Sequence, residues 1–116
     1  MKKPDISENP VNLVYLALGS NLGDKKNNLN QSIELIKKEG IFIKKRSKFY
    51  ITKSLPNENF PDFINSMILI ETKLNSTQLF LKIKKIEKKL GRTKSKRNRP
   101  RVCDIDIIDF NNKIIQ

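Results

Sequence analysis

"FINSMILIETKLNSTQLFLKIKKIEKKLG", residues 63–91, changes its hydrophobic period once. Up to Leu74 the apolar residues run nearly unbroken, as in a strand buried on both faces. From Leu79 onward they recur at Phe80, Ile83, Ile86 and Leu90, the spacing of one helix face. Asn75 or Ser76 supplies an N-cap between the two segments, and Gly91 a terminator. This stretch therefore predicts a strand that passes directly into a helix.

The same unit stands upstream. Val14 to Leu18 is a short apolar run, and Leu29, Ile33 and Ile36 then repeat at helical spacing between an Asp24 N-cap and Gly40. Between the two units, "IFIKKRSKFYIT" at 41–52 reads as a strand, and "KSLPNENFPD" at 53–62, with Pro56 and Pro61, as a loop. Downstream, the basic loop "RTKSKRNRPR" at 92–101 leads into a last strand, "VCDIDIIDF" at 102–110, and "NNK" begins a turn. The order is strand, helix, strand, strand, helix, strand. It predicts an α+β, ferredoxin-like βαββαβ core: a four-stranded antiparallel sheet, first and third strands central, with two helices on one face. Residues 1–12, punctuated by Pro4 and Pro10, read as a flexible N-terminal arm, and 13–116 as one domain. Two helices cover one face, yet Val14–Leu18 and Met67–Ile70 are apolar on both. The second face therefore binds something apolar or is covered by further polypeptide.

The chain carries 24 Lys and Arg against 12 Asp and Glu, a net charge of +12. Such an excess ordinarily points to a polyanionic partner. Here Lys, Asn and Ile are all abundant, a joint bias that reads as AT-rich coding, so much of the charge is expected to be solvated surface. With no His in the chain, a histidine base and His-containing metal sites are excluded. Cys103, the single cysteine, sits among apolar strand residues and reads as a small buried thiol. No apolar run approaches the ~20 residues that span a bilayer, and "MKKPDISENP" lacks the apolar core of a signal peptide. No membrane partner and a cytoplasmic location are expected.

The last strand holds the chemistry. Cys103, Ile105 and Ile107 share one face, which should meet the helices, and Asp104 and Asp106 share the other. Asp109 has the opposite parity and reads as a strand-end turn residue. Adjacent carboxylates repel and are costly to desolvate. Solvent, nearby Arg or a divalent cation relieves this, Mg²⁺ above all, since it is bound by one or two carboxylates together with substrate phosphates. Spacing alone leaves a second reading, an exposed strand end with two solvated carboxylates. The preceding loop shifts the balance. Arg92, Lys94, Lys96, Arg97, Arg99 and Arg101 directly precede the pair, and Arg grips phosphate bidentately. Carboxylates for Mg²⁺ beside a cationic loop are the parts of a polyphosphate clamp. An RNA-binding loop is an alternative for this fold, though no strand carries an aromatic-rich RNA-binding pattern.

Three segments in order, "YLALGSNLG", "SKFYITKSLPNENFPDFINSMILIET" and "RNRPRVCDIDII", resemble 6-hydroxymethyl-7,8-dihydropterin pyrophosphokinase over residues 13–116. The resemblance implies transfer of pyrophosphate from ATP to 6-hydroxymethyl-7,8-dihydropterin, with AMP as the other product, in folate biosynthesis. It implies that Asp104 and Asp106 hold Mg²⁺, two ions in the family. It matches Arg92 and Arg101 to catalytic, phosphate-clamping arginines. Lys94 and Glu87 match ATP-binding positions, Glu87 from the exposed side of the second helix. Asn65 matches the residue that reads the pterin edge, Phe63 an aromatic that stacks on the ring, and Thr52 and Leu55 backbone contacts. "GSN", Gly19–Asn21, matches the base of the pterin pocket; by itself it reads as a strand-to-helix turn.

The sequence departs from the family at Arg99, where Gly or Ala usually precedes the Pro, and at Asn98, where some members have Trp. The loop is one residue shorter than in some relatives. The family usually continues beyond the last strand with a segment carrying a His, an Arg and an aromatic, so a chain ending at Gln116 is expected to leave one sheet face uncovered and open to self-association. A degraded enzyme that still folds, and an RNA-binding domain, remain as alternatives.

Overall fold

The computed structural model describes residues 11–54, 59–91 and 102–114. The elements are β1 (Asn12–Ser20), α1 (Lys25–Lys38), β2 (Phe42–Arg46), β3 (Tyr50–Thr52), β4 (Phe63–Thr72), α2 (Ser76–Lys89), β5 (Asp104–Phe110) and β6 (Lys113–Ile114). All strand pairs are antiparallel, and the sheet order is β2-β4-β1-β5-β6, with β3 also on β4. β1 and β4 are the central strands and both helices lie on one face, the ferredoxin-like arrangement expected.

The helices start and stop where their caps dictate. The Asp24 side chain accepts the Asn27 N–H at 3.3 Å. Asn75 forms a reciprocal capping box with Gln78, with bonds of 2.8 and 2.9 Å. Gly40 and Gly91, just past the two C-termini, take φ of +81° and +94°, a conformation glycine adopts without a Cβ clash. Leu29, Ile33 and Ile36 of α1 and Leu79, Ile83 and Ile86 of α2 are buried against Val14, Leu16, Leu18, Ile68, Ile70 and Ile105 of the sheet. Cys103 is fully buried there and lies 2.9 Å from the Ser32 hydroxyl.

Three expectations are corrected. The strand at 41–52 is two strands. A bulge between Ile43 and Lys45 bends it. Ser47 then bonds β4 with both backbone and side chain, donating to Met67 O at 2.8 Å and accepting from Met67 N at 2.9 Å through its hydroxyl. Phe80 does not join the core. It is exposed, with the Lys84 ammonium 5.1 Å from its ring centroid. Asp109 lies within β5, and its parity is reversed. The register pairs Leu16 with Ile107 but Tyr15 with Asp109, so Ile108 is an extra residue and Asp109 rejoins the Asp104/Asp106 face. The turn proper is Asn111–Asn112, both at positive φ, the geometry of a tight hairpin.

On the face away from the helices, Leu13, Tyr15, Ala17 and Gly19 of β1 stand opposite Glu71, Leu69, Met67 and Asn65 of β4. Leu13, Tyr15 and Phe42 are exposed there, so the two-sided apolar strands do present a partly open face.

Candidate active site

β1, β4 and β5 meet at one end of that open face. Gly19 is paired with Asn65 on one side and with Asp104 on the other, and Ala17 with Met67 and Asp106. Directly opposite residues of an antiparallel pair point the same way. The register therefore carries Asn65, Asp104 and Asp106 onto one surface around Gly19. Phe63, two residues before Asn65, joins them, and so does Thr52, its partner on β3. A cavity of about 290 Å³ opens here, lined by Ala17, Gly19, Thr52, Lys53, Phe63, Asn65, Asp104 and Asp106.

Gly19 is required by close approach rather than by a turn. A Cβ on it would lie 2.9 Å from Asn65 Oδ1 and 3.3 Å from Phe63 Cδ1. The absent side chain is what lets the amide and the ring settle against β1. Asn65 is oriented by β3: its Nδ2 donates to Thr52 Oγ1 at 2.9 Å and to Tyr50 O at 3.3 Å. The ends of loop 53–62 are tied down by Asn21, which is buried. Its Nδ2 donates to Ser54 Oγ at 2.7 Å and to Pro61 O at 3.3 Å, while the Ser54 hydroxyl donates to Pro61 O at 2.8 Å. Lys25 reaches across to Asp62 O at 2.8 Å.

Asp104 is half-buried and Asp106 exposed. Same-face neighbours on a strand are about 6.6 Å apart. At that separation two unit charges repel by roughly 0.6 kcal/mol in water and about 2.5 kcal/mol at an effective dielectric of 20. The fold tolerates this because the pair faces solvent at the cavity mouth. Among the described residues no cluster of three or more acidic, Cys or His side chains could cage a metal. Two carboxylates opening into a cavity suit Mg²⁺, which keeps most of its coordination sphere for water and phosphate. The donor set therefore fits the ion that the sequence resemblance implies.

Glu87 is not on an exposed helix face. Its side chain is 3% exposed, between α2 and β5, with Oε2 accepting the Ile105 N–H at 2.7 Å and Lys84 Nζ 3.3 Å from Oε1. A charged residue on a helix is expected to face water, but here the open edge of β5 draws the carboxylate inward. Leu55, Arg92, Lys94 and Arg101 lie outside the described residues. Sequence reading missed Ala17, Lys53 and the clip from Asn21 to Ser54. Spacing alone fits Gly19 to a strand-to-helix turn and the resemblance to the pocket base; the demand for a glycine comes from the strand opposite.

The family model for "7,8-dihydro-6-hydroxymethylpterin-pyrophosphokinase (HPPK)" matches residues 15–115. A 2-amino-4-hydroxy-6-hydroxymethyldihydropteridine pyrophosphokinase from Bacillus subtilis is 37% identical over 106 residues, covering 90% of this chain and 64% of the relative. Its namesake from Aquifex aeolicus is 39% identical over 103 residues, 89% of this chain and 64% of the relative. A mitochondrial folate synthesis bifunctional protein from pea is 39% identical over 97 residues, 84% of this chain and 19% of that protein. The chain thus spans less than two thirds of the length of these relatives. A crystal structure of an unknown protein from Galdieria sulphuraria shares the fold, with a TM-score of 0.53 at 12% identity over 91% of this chain and 53% of that one. No helix among the described residues is long and apolar enough to cross a membrane.

Proposed function

The chain belongs to the 7,8-dihydro-6-hydroxymethylpterin-pyrophosphokinase family, and from that premise we propose that it transfers pyrophosphate from ATP to 6-hydroxymethyl-7,8-dihydropterin for folate synthesis. One observation carries the reading. A single cavity of about 290 Å³ holds Phe63 and Asn65, suited to a flat polar heterocycle, beside the Asp104/Asp106 pair, suited to Mg²⁺.

Each residue has a task set by its surroundings. Phe63 offers a ring face for stacking. Asn65, its Nδ2 held by Thr52 and Tyr50, presents Oδ1 as an acceptor for the pterin's N–H edge. Asp104 and Asp106 hold Mg²⁺, which offsets the triphosphate charge when bound. The need is plain from the cavity itself: its described lining carries two carboxylates and one ammonium, Lys53, and would otherwise repel ATP. Arg92, Lys94 and Arg101 supply further cations from the loop. The pterin hydroxymethyl oxygen attacks the β-phosphorus. The bond from that phosphorus to the α-phosphate oxygen breaks, AMP leaves with the electron pair, and the hydroxyl proton passes to solvent. Holding acceptor and donor together is the larger part of such catalysis.

Product analysis tests this. The protein, Mg²⁺ and ATP should yield AMP only when the pterin is added, and Asp106→Ala should lower the rate by at least about a thousandfold, in line with losing metal-borne charge stabilisation. Asp106 is exposed, so its loss should not destabilise the fold by more than about 0.5 kcal/mol, and relief of its repulsion with Asp104 acts in the opposite direction. No pterin-dependent AMP from the folded protein, or full activity in Asp106→Ala, contradicts the proposal.

A further inference from the structure

Glu87 lies beneath the carboxylate pair, and the reaction described above gives it no task. β5 has β1 on one side, but on the other β6 reaches only Asp109 and Phe110. Successive amides of a strand point to alternate edges. The Ile105 N–H, donating to Glu87, therefore points out of the sheet, while the backbones of Asp104 and Asp106 face β1. A buried N–H left without an acceptor is costly. Glu87 supplies that acceptor from α2, with Oε2 2.7 Å from the Ile105 nitrogen. The bond falls on the one residue that separates the two aspartates. Lys84, 3.3 Å from the other oxygen, anchors Glu87 in turn.

We propose that Glu87 is a positioning residue: through the Ile105 backbone it holds Asp104 and Asp106 at the angle a divalent cation needs, and it does not itself contact the nucleotide. The inference rests on reading the pair as a metal site. It makes the reach of the Glu87 side chain, not its charge, the property that matters.

Two variants separate these properties. Glu87→Gln keeps the reach and an acceptor oxygen but loses the charge. Glu87→Asp keeps the charge but withdraws the acceptor by one methylene. The readouts are hydrogen exchange of the Ile105 amide and affinity for Mn²⁺, both measured without pterin or turnover. Glu87→Gln should stay within about threefold of the parent in both, whereas Glu87→Asp should exchange Ile105 about tenfold faster and bind Mn²⁺ about tenfold more weakly, the scale of one lost hydrogen bond. The Leu16 and Ile68 amides should hold their protection in both variants. The reverse ranking would assign Glu87 a charge role and overturn the proposal. So would equal losses in both variants, or Mn²⁺ affinity indifferent to Ile105 protection. If Glu87→Asp does not fold, Glu87→Gln alone decides, since loss of either readout in it contradicts the inference and retention of both supports it. A parent that binds Mn²⁺ yet makes no AMP would sink the proposed reaction and leave this ranking to be judged on its own.

Discussion

Gly19 shows how a site can depend on an atom that is not there. The residue is buried in β1, flanked by Asn65 and Asp104, and the space a methyl would take is held by the Asn65 amide oxygen and the Phe63 ring. Gly19→Ala must push one of them away. β4 is a central strand and cannot move readily, so the side chains would give. The variant should weaken pterin binding by about tenfold or more, since a misplaced hydrogen-bonding partner costs at least ~1.4 kcal/mol. Thermal stability should fall little by comparison, and binding calorimetry beside thermal unfolding would separate the two. Equal pterin affinity in Gly19→Ala would mean that the amide and ring do not form the pocket. The aspartate pair was legible in the sequence because strand parity is strict. Asp109 was not, because a bulge at Ile108 resets that parity and leaves no local mark.

The elements were more legible than the residues. Both helices follow from caps and period, and the central strands from their unbroken apolar runs. The break between β2 and β3 was hidden, since Ser47 replaces a ladder bond with its hydroxyl and no Gly or Pro in 41–52 marks the interruption. Glu87 was misjudged for a related reason: a charged residue on a helix reads as solvated until the strand edge it serves is known. The tie between the helices offers a test with a definite sign. Lys82 of α2 lies 2.9 Å from Glu39, the C-cap of α1, and its hydrogen bond lowers the Glu39 pKa below the ordinary 4.5. A lowered carboxylate pKa adds stability that is complete above the unfolded-state value and is lost as pH falls through the folded-state one. Glu39→Gln should thus be less stable than the parent at neutral pH, with the gap closing as the pH drops below 4.5. Denaturant unfolding across that range would show it. A gap that stays constant with pH would mean the pair contributes nothing through ionisation.

At the scale of the whole molecule the two faces of the sheet have separate duties. One is closed by α1 and α2 and supplies the core. The other carries Asp104, Asp106 and Asp109, with Phe63 and Asn65, on a chain whose net charge is +12. Nine of the fifteen described lysines lie on α1 and α2, in the helix layer. The carboxylates stand apart from that surface, which is where a cation is wanted. The central claim is that pterin and metal share the cavity around Gly19. Its most direct test is nuclear magnetic resonance of the Asn65 side-chain amide. Mn²⁺ should broaden that resonance, 6-hydroxymethyl-7,8-dihydropterin should shift it, and Asp106→Ala should abolish the broadening while leaving the shift. Broadening and shifts confined to other residues would place the two ligands elsewhere and contradict the account.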